Sequence, residues 1–190
     1  MGYPRHGFGA GDGAGGLVML KGEYLGMAVS IQESDQENYT FFSYCGKHEL
    51  RVQQCRSCGL KRLPATTGCP FCSFPESDWV KVSGKGTVYS YGEVHQAILG
   101  AFKPYSPYLL LLVELDEQRG QPGEFDGLRM EGNLATSDGS LAGPELVTQV
   151  GIGTRVCVVF KDIGDGLAMP LWQVDETATQ PEAVWRYPAE

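Results

Sequence analysis

The sequence predicts a mainly β protein: an N-terminal helix and a four-cysteine zinc ribbon, followed by a five-stranded barrel. Three features carry that expectation. Two CxxC pairs, Cys55/Cys58 and Cys69/Cys72, stand ten residues apart. Beyond them, short apolar runs alternate with Gly, Pro and Asp breaks, as in a chain of short strands. One helical segment interrupts the runs between the third and the fourth.

The helix is expected from Ser34-Asp35-Gln36-Glu37, a capping box in which the serine hydroxyl accepts an amide while the glutamate reaches back. Phe41, Phe42 and Cys45 then share a face, and Gly46 would supply a left-handed exit. On this reading Cys45 is a small buried apolar group rather than a fifth ligand.

Zinc takes four tetrahedral thiolate or imidazole ligands, and a CxxC turn offers two sulfurs whose negative charge the backbone amides of the knuckle support. Cys55, Cys58, Cys69 and Cys72 therefore form a candidate structural site, and ten intervening residues suffice for a hairpin return. A redox pair or a four-cysteine iron centre uses the same residues. A paired set with no open coordination position favours the structural role.

Strands are expected at 86–96, 108–115, 128–134, 155–161 and 169–174. The segment Gly143-Pro144 to Gly151, with proline at a first helical position and glycine at the exit, is the helix between strands three and four. Five strands with that helix are the OB-fold arrangement. The chain thus divides into a glycine-rich extension (1–33), helix plus ribbon (34–78), OB-fold (79–175) and C-terminal tail (176–190). Loops at 97–107 and 116–127 exceed what hairpins need, which marks them as candidates for function. The tail, polar apart from Trp185 and Tyr187, is expected to fray or to dock on a partner.

The 190 residues carry 15 Lys and Arg against 23 Asp and Glu, a net charge of -8 that repels phosphate backbones and anionic membranes. Nucleic acid is an unfavoured partner. The longest apolar run, Tyr108 to Val113, is far short of the roughly 20 residues of a membrane span, and no secretory signal opens the chain. With cysteines arranged as ligands, a cytoplasmic protein is expected. Against the global charge, Lys47, Arg51, Arg56, Lys61 and Arg62 face only Glu49 near the cysteines. That cluster is either a phosphate or acidic-partner contact or a solvated ribbon face.

Catalytic equipment is thin. There is no GxSxG, HExxH or Walker motif, and His6 is one of three histidines. Glu93 and His95 fall on one face of a strand, which reads as a half-exposed pair before it reads as an acid and a base. Gly7 to Gly13 superficially resembles a phosphate loop, but no strand precedes it. Cys157 sits among apolar residues with no evident base to activate it.

Several segments together resemble the DUF35 family: Asp35-Gln36-Glu37-Asn38, His48 to Gln54 leading into the CxxC pairs, Ser83 to Ser90, Pro107 to Leu115, and Gly151 to Val156. The resemblance spans roughly residues 35–175. It implies a rubredoxin-like zinc ribbon joined to an OB-fold, acting as a noncatalytic subunit of a thiolase-superfamily protein, beside the coenzyme A channel. Some members serve an acyl-CoA hydratase or aldolase instead. The glycine-rich opening and Gly127 to Leu134 are similar to long members that partner thiolases of aromatic degradation, whose β-ketoacyl-CoA substrates include benzoylsuccinyl-CoA. On this view Arg51, Arg56, Lys61 and Arg62 are candidate contacts for coenzyme A or the partner. Phe102, Lys103 and Tyr105 of the first long loop are candidates for the same role.

Overall fold

The computed structural model describes residues 18–187. The glycine-rich Gly7 to Gly13 stretch and His6 lie outside them. Ten strands and two α-helices follow in order: β1 (Met19–Tyr24), β2 (Met27–Gln32), α1 (Gln36–Cys45), β3 (Arg51–Cys55), β4 (Lys61–Arg62), β5 (Ser77–Lys81), β6 (Lys85–Val94), β7 (Tyr108–Arg119), β8 (Gly127–Asn133), α2 (Pro144–Gln149), β9 (Arg155–Gly164) and β10 (Leu167–Val174).

The barrel is built by β6 to β10 in the order β10-β9-β6-β7-β8, every pairing antiparallel. A parallel bridge between Leu134 and Trp172 brings the open edges together, with the Ala135 amide donating to the Trp172 carbonyl at 2.7 Å. This is the OB-fold connectivity that five strands and one intervening helix predict. Leu109, Leu111, Val113 and Leu115 alternate inward along β7 and are fully buried. Val147 of α2 plugs the same core.

The helix and ribbon do not stand apart from this core. Phe41 and Cys45 of α1, Leu50, and Val52 of β3 lie in one apolar cluster with Val88, Leu115, Met130 and Trp172. The ribbon itself is a three-stranded sheet ordered β4-β3-β5.

Several local expectations shift. Asp35, not Ser34, caps α1, accepting from the Asn38 amide at 3.4 Å, while the Ser34 hydroxyl donates to Gln32 at 3.3 Å. Gly46 is right-handed at φ -63°, and the left-handed turn falls on His48 at φ 55°. Glycine is needed at 46 for space, because a β-carbon there would overlap the Gly166 carbonyl. The first barrel strand stops at Val94. The second runs on to Arg119, through the first third of the expected 116–127 loop.

Two segments are more structured than their composition suggests. Residues 19–32 within the glycine-rich extension form the β1–β2 hairpin, turning at Leu25-Gly26 with positive φ at both positions. Residues 180–186 of the tail are bonded to the barrel. Gln180 exchanges hydrogen bonds with the Arg155 backbone at 2.9 and 3.1 Å, and Trp185 bridges Ile152. Arg186 donates to the carbonyls of Val147 and Val150 at the end of α2. One basic side chain there satisfies carbonyls that a helix end leaves bare.

Candidate metal centre and surrounding surfaces

Cys55 closes β3, Cys58 follows in the first knuckle, and Cys69 and Cys72 form the second knuckle before β5. Their four sulfurs lie within 4.8 Å of one another. The cross-knuckle contacts Cys55–Cys72 and Cys58–Cys69 are both 3.6 Å. Zinc–thiolate bonds of about 2.3 Å in a tetrahedron separate sulfurs by roughly 3.8 Å, so the four residues fit such an ion.

The two knuckles repeat one backbone. Gly59 donates to the Cys55 carbonyl at 3.0 Å with φ 74°, and Ser73 donates to the Cys69 carbonyl at 2.8 Å with φ 62°. The Cys58 amide first, then that of Ser57, pull the Cys55 thiol down to about 6 against the opposing effect of burial. Amides aimed at sulfur stabilise the thiolate, the form that binds metal. Cys55 and Cys69 are buried, whereas Cys58 and Cys72 reach the surface. Cys45 stays out of the cluster, fully buried, its thiol pushed up to about 12 by burial. Burial also raises Cys157.

Three arginines of the basic cluster near the metal centre are already engaged within the chain. Arg56 pairs with Glu76 at 2.9 Å and Asp78 at 2.7 Å, carboxylates that reach it from the β5 side of the ribbon. Arg51 pairs with Glu49 at 2.8 Å and lies over the Tyr44 ring. Arg62 is buried and donates to Thr66 and Ser77, bracing the loop between the knuckles. The Lys61 backbone exchanges two hydrogen bonds with the buried Gln118 side chain, tying the ribbon to β7.

The structure does not bring these residues together with Phe102, Lys103 and Tyr105. The aromatic loop, a 3-10 helix at Gly100–Tyr105, adjoins the Tyr108 end of β7, and the ribbon adjoins the Gln118 end. A dozen strand residues at roughly 3.3 Å each separate the two groups. Phe102 turns inward, its ring 6.1 Å from Tyr24 and 5.2 Å from Tyr108. Ile98, 97 % exposed, projects from the preceding segment with Leu99, and Tyr105 is also exposed.

Two clefts were not evident from the sequence. One, of about 750 Å³, runs between α1, the ribbon turn and the barrel, lined by Phe41, Phe42, Leu63, Met130, Met169 and Leu171. The other, of about 700 Å³, lies between the tail and β6, where Glu93 pairs with Arg186 at 2.6 Å and His95 stands 3.4 Å from Glu93. Their walls come from segments far apart in the chain, so no local pattern announces them.

Comparison with known proteins places this architecture. The C-terminal OB-fold domain of ChsH2 matches residues 79–161. A DUF35 domain-containing scaffold protein of Methanothermobacter thermautotrophicus is 32 % identical over 118 residues, covering 62 % of this chain and 75 % of the relative. The chain belongs to the DUF35 family. A second DUF35 scaffold protein, from Methanocaldococcus jannaschii, is 33 % identical over 111 residues, 58 % of this chain and 66 % of the relative. A probable enoyl-CoA hydratase alpha subunit of Thermomonospora curvata is 35 % identical over 83 residues, which are 44 % of this DUF35 chain but only 25 % of that protein. Among solved structures, a chain of an Ltp2-ChsH2(DUF35) aldolase aligns with a TM-score of 0.57 and 28 % identity, over 73 % of this chain and 94 % of that one. No helix among the described residues is long and apolar enough to cross a membrane.

Proposed function

We infer that this DUF35 protein is a noncatalytic accessory subunit of an acyl-CoA-processing enzyme, with zinc holding its ribbon together. The observation that carries the reading is the alignment with 94 % of a chain of the Ltp2-ChsH2(DUF35) aldolase. The scaffold names of the archaeal relatives point the same way. The partner proposed is a thiolase-superfamily subunit that cleaves a β-ketoacyl-CoA such as benzoylsuccinyl-CoA. Its own cysteine would attack the substrate while this chain shapes the site and the coenzyme A channel.

A second reading keeps the accessory role and exchanges the partner for an acyl-CoA hydratase or aldolase. The names of two relatives favour it. A nucleic-acid-binding role is opposed by the net charge of -8 and by the pairing of Arg51 and Arg56 with carboxylates.

Affinity purification of the tagged chain from its native host, with mass spectrometry and metal analysis, tests both. Recovery of a thiolase with about one zinc per chain is the expected result. A hydratase or aldolase in its place selects the second reading. Recovery of nucleic acid, or of no acyl-CoA enzyme, rejects the accessory role.

A further inference from the structure

The β1–β2 hairpin has an inner and an outer strand. β1 lies against the barrel: a β-carbon on Gly22 would overlap the Ile163 carbonyl, and one on Gly164 would overlap that of Lys21. β2 faces away from it and pairs with β1 alone. The two-residue turn and the register make Tyr24–Met27, Gly22–Val29 and Leu20–Ile31 the hydrogen-bonded pairs. The bond from the Glu33 amide to the Val18 carbonyl, at 3.0 Å, continues the same alternation. The amides and carbonyls of Ala28 and Ser30 therefore point outward. Among the described residues they have no partner.

Proteins ordinarily blunt such an edge with charge, proline, a bulge or a cover. β2, Met27-Ala28-Val29-Ser30-Ile31-Gln32, has no charge and no proline, whereas β1 carries Lys21 and Glu23. A cleft of about 480 Å³ opens beside it, lined by Ser30, Ile31 and Gln32 on one side and Asp35, Asn38 and Phe42 on the other. Asn38 and Phe42 also line the larger apolar groove, so the two depressions adjoin.

We propose that the outer edge of β2 receives an extended segment of the enzyme subunit, added as a third strand that runs past α1 into the groove walled by Phe41, Phe42 and Leu63. The recognising chemistry is main chain to main chain along Ala28 and Ser30, with an apolar side chain of the incoming strand seated in the groove. This rests on the accessory-subunit reading and names the surface that serves it.

Hydrogen exchange of the full chain, free and in the complex recovered through its tag, is the test. In the complex the Ala28 and Ser30 amides exchange about tenfold slower or more, the protection expected of new strand hydrogen bonds. Ser30→Pro, which deletes one outward amide on an edge that tolerates proline, lowers recovery of the enzyme subunit about tenfold. Ser30→Thr, which keeps the amide, does not. Unchanged metal content and thermal midpoint in Ser30→Pro show that the fold survives, and Ala28→Pro repeats the test at the second outward amide. A complex that forms equally well with both proline variants, or leaves both amides unprotected, overturns the added strand while sparing the accessory role. Amides already protected in the free chain assign the edge to this chain's own residues and also overturn it. Failure to recover any acyl-CoA enzyme rejects the accessory role and the added strand with it.

Discussion

Gly46, at the exit of α1, lies so close to Gly166 in the β9–β10 turn that a β-carbon at 46 would overlap the Gly166 carbonyl. The same turn region meets β1 through Gly22, which approaches the Ile163 carbonyl, and through Gly164, which approaches that of Lys21. One barrel hairpin is thus held between the N-terminal hairpin and the helix. Gly46→Ala is expected to cost about 3 kcal/mol, because backbone rather than a movable side chain must yield. Chemical denaturation measures it, and a cost below about 1 kcal/mol would mean that the close approach is readily relaxed.

Arg186 ties the tail to the barrel through two α2 carbonyls and the Glu93 carboxylate, with its guanidinium over Tyr91. Charged hydrogen bonds of this half-buried kind contribute about 2 kcal/mol when lost together with their partners' satisfaction. Arg186→Ala should destabilise the fold by that amount and speed amide exchange in α2 and residues 176–187. Equal exchange in the two proteins would show the tail to be passively attached.

Much of this architecture was readable because it follows from local chemistry. The CxxC pairs, the alternation along Tyr108 to Leu115 and Pro144 at a helix start each encode their element within a few residues. The N-terminal hairpin could also have been read, since Leu25-Gly26 separates two alternating runs, but neighbouring glycines dominated the composition. The tail could not. Gln180, Trp185 and Arg186 find partners on β6, β9 and around α2, contacts with no sequence period. The pairing of Arg56 was hidden for a related reason: its counter-charges, Glu76 and Asp78, lie about twenty residues away and return only when β5 pairs with β3.

The metal centre and the barrel should respond differently to chelation. Leu50 and Val52 share the barrel core, while the knuckles beyond Cys55 have little apolar packing of their own. Cys69→Ala, or chelation, is expected to release about one metal ion per chain and open residues 55–76, since structural zinc sites supply the folding energy of small ribbons. The β signal of the barrel should persist in circular dichroism. Its complete loss would make the ribbon's core residues depend on the metal.

Asp116 receives hydrogen bonds from Arg155 at 2.7 and 2.5 Å, and that contact, with Arg119 behind it, holds its carboxyl down at about 2. A carboxyl lowered on folding adds stability that is complete above its unfolded value near 3.9 and disappears as pH falls through about 2. The pair is partly exposed, so the contribution is at most about 1 kcal/mol. Asp116→Asn should therefore cost up to about 1 kcal/mol above about pH 4, and the difference from the parent protein should shrink to nothing as pH falls towards about 2. A loss of the same size at pH 2 as at neutral pH would assign the role of Asp116 to packing.

The two aromatic residues of the 100–105 turn should separate cleanly on substitution. Phe102 is wedged between Tyr24 and Tyr108, so Phe102→Ala removes ring contacts within the chain and costs about 2 kcal/mol of stability. Tyr105 and the almost fully exposed Ile98 have little to lose in the isolated protein. Ile98→Ala with Tyr105→Ala should leave the denaturation midpoint in place. If this loop contacts the enzyme subunit, the same pair of changes weakens the complex about tenfold or more, as truncation of aromatic and aliphatic anchors does at an interface centre. Titration calorimetry with the copurified subunit reads that change. Equal affinity in the double variant would leave the ribbon end and the β2 edge as the surfaces that hold the partner.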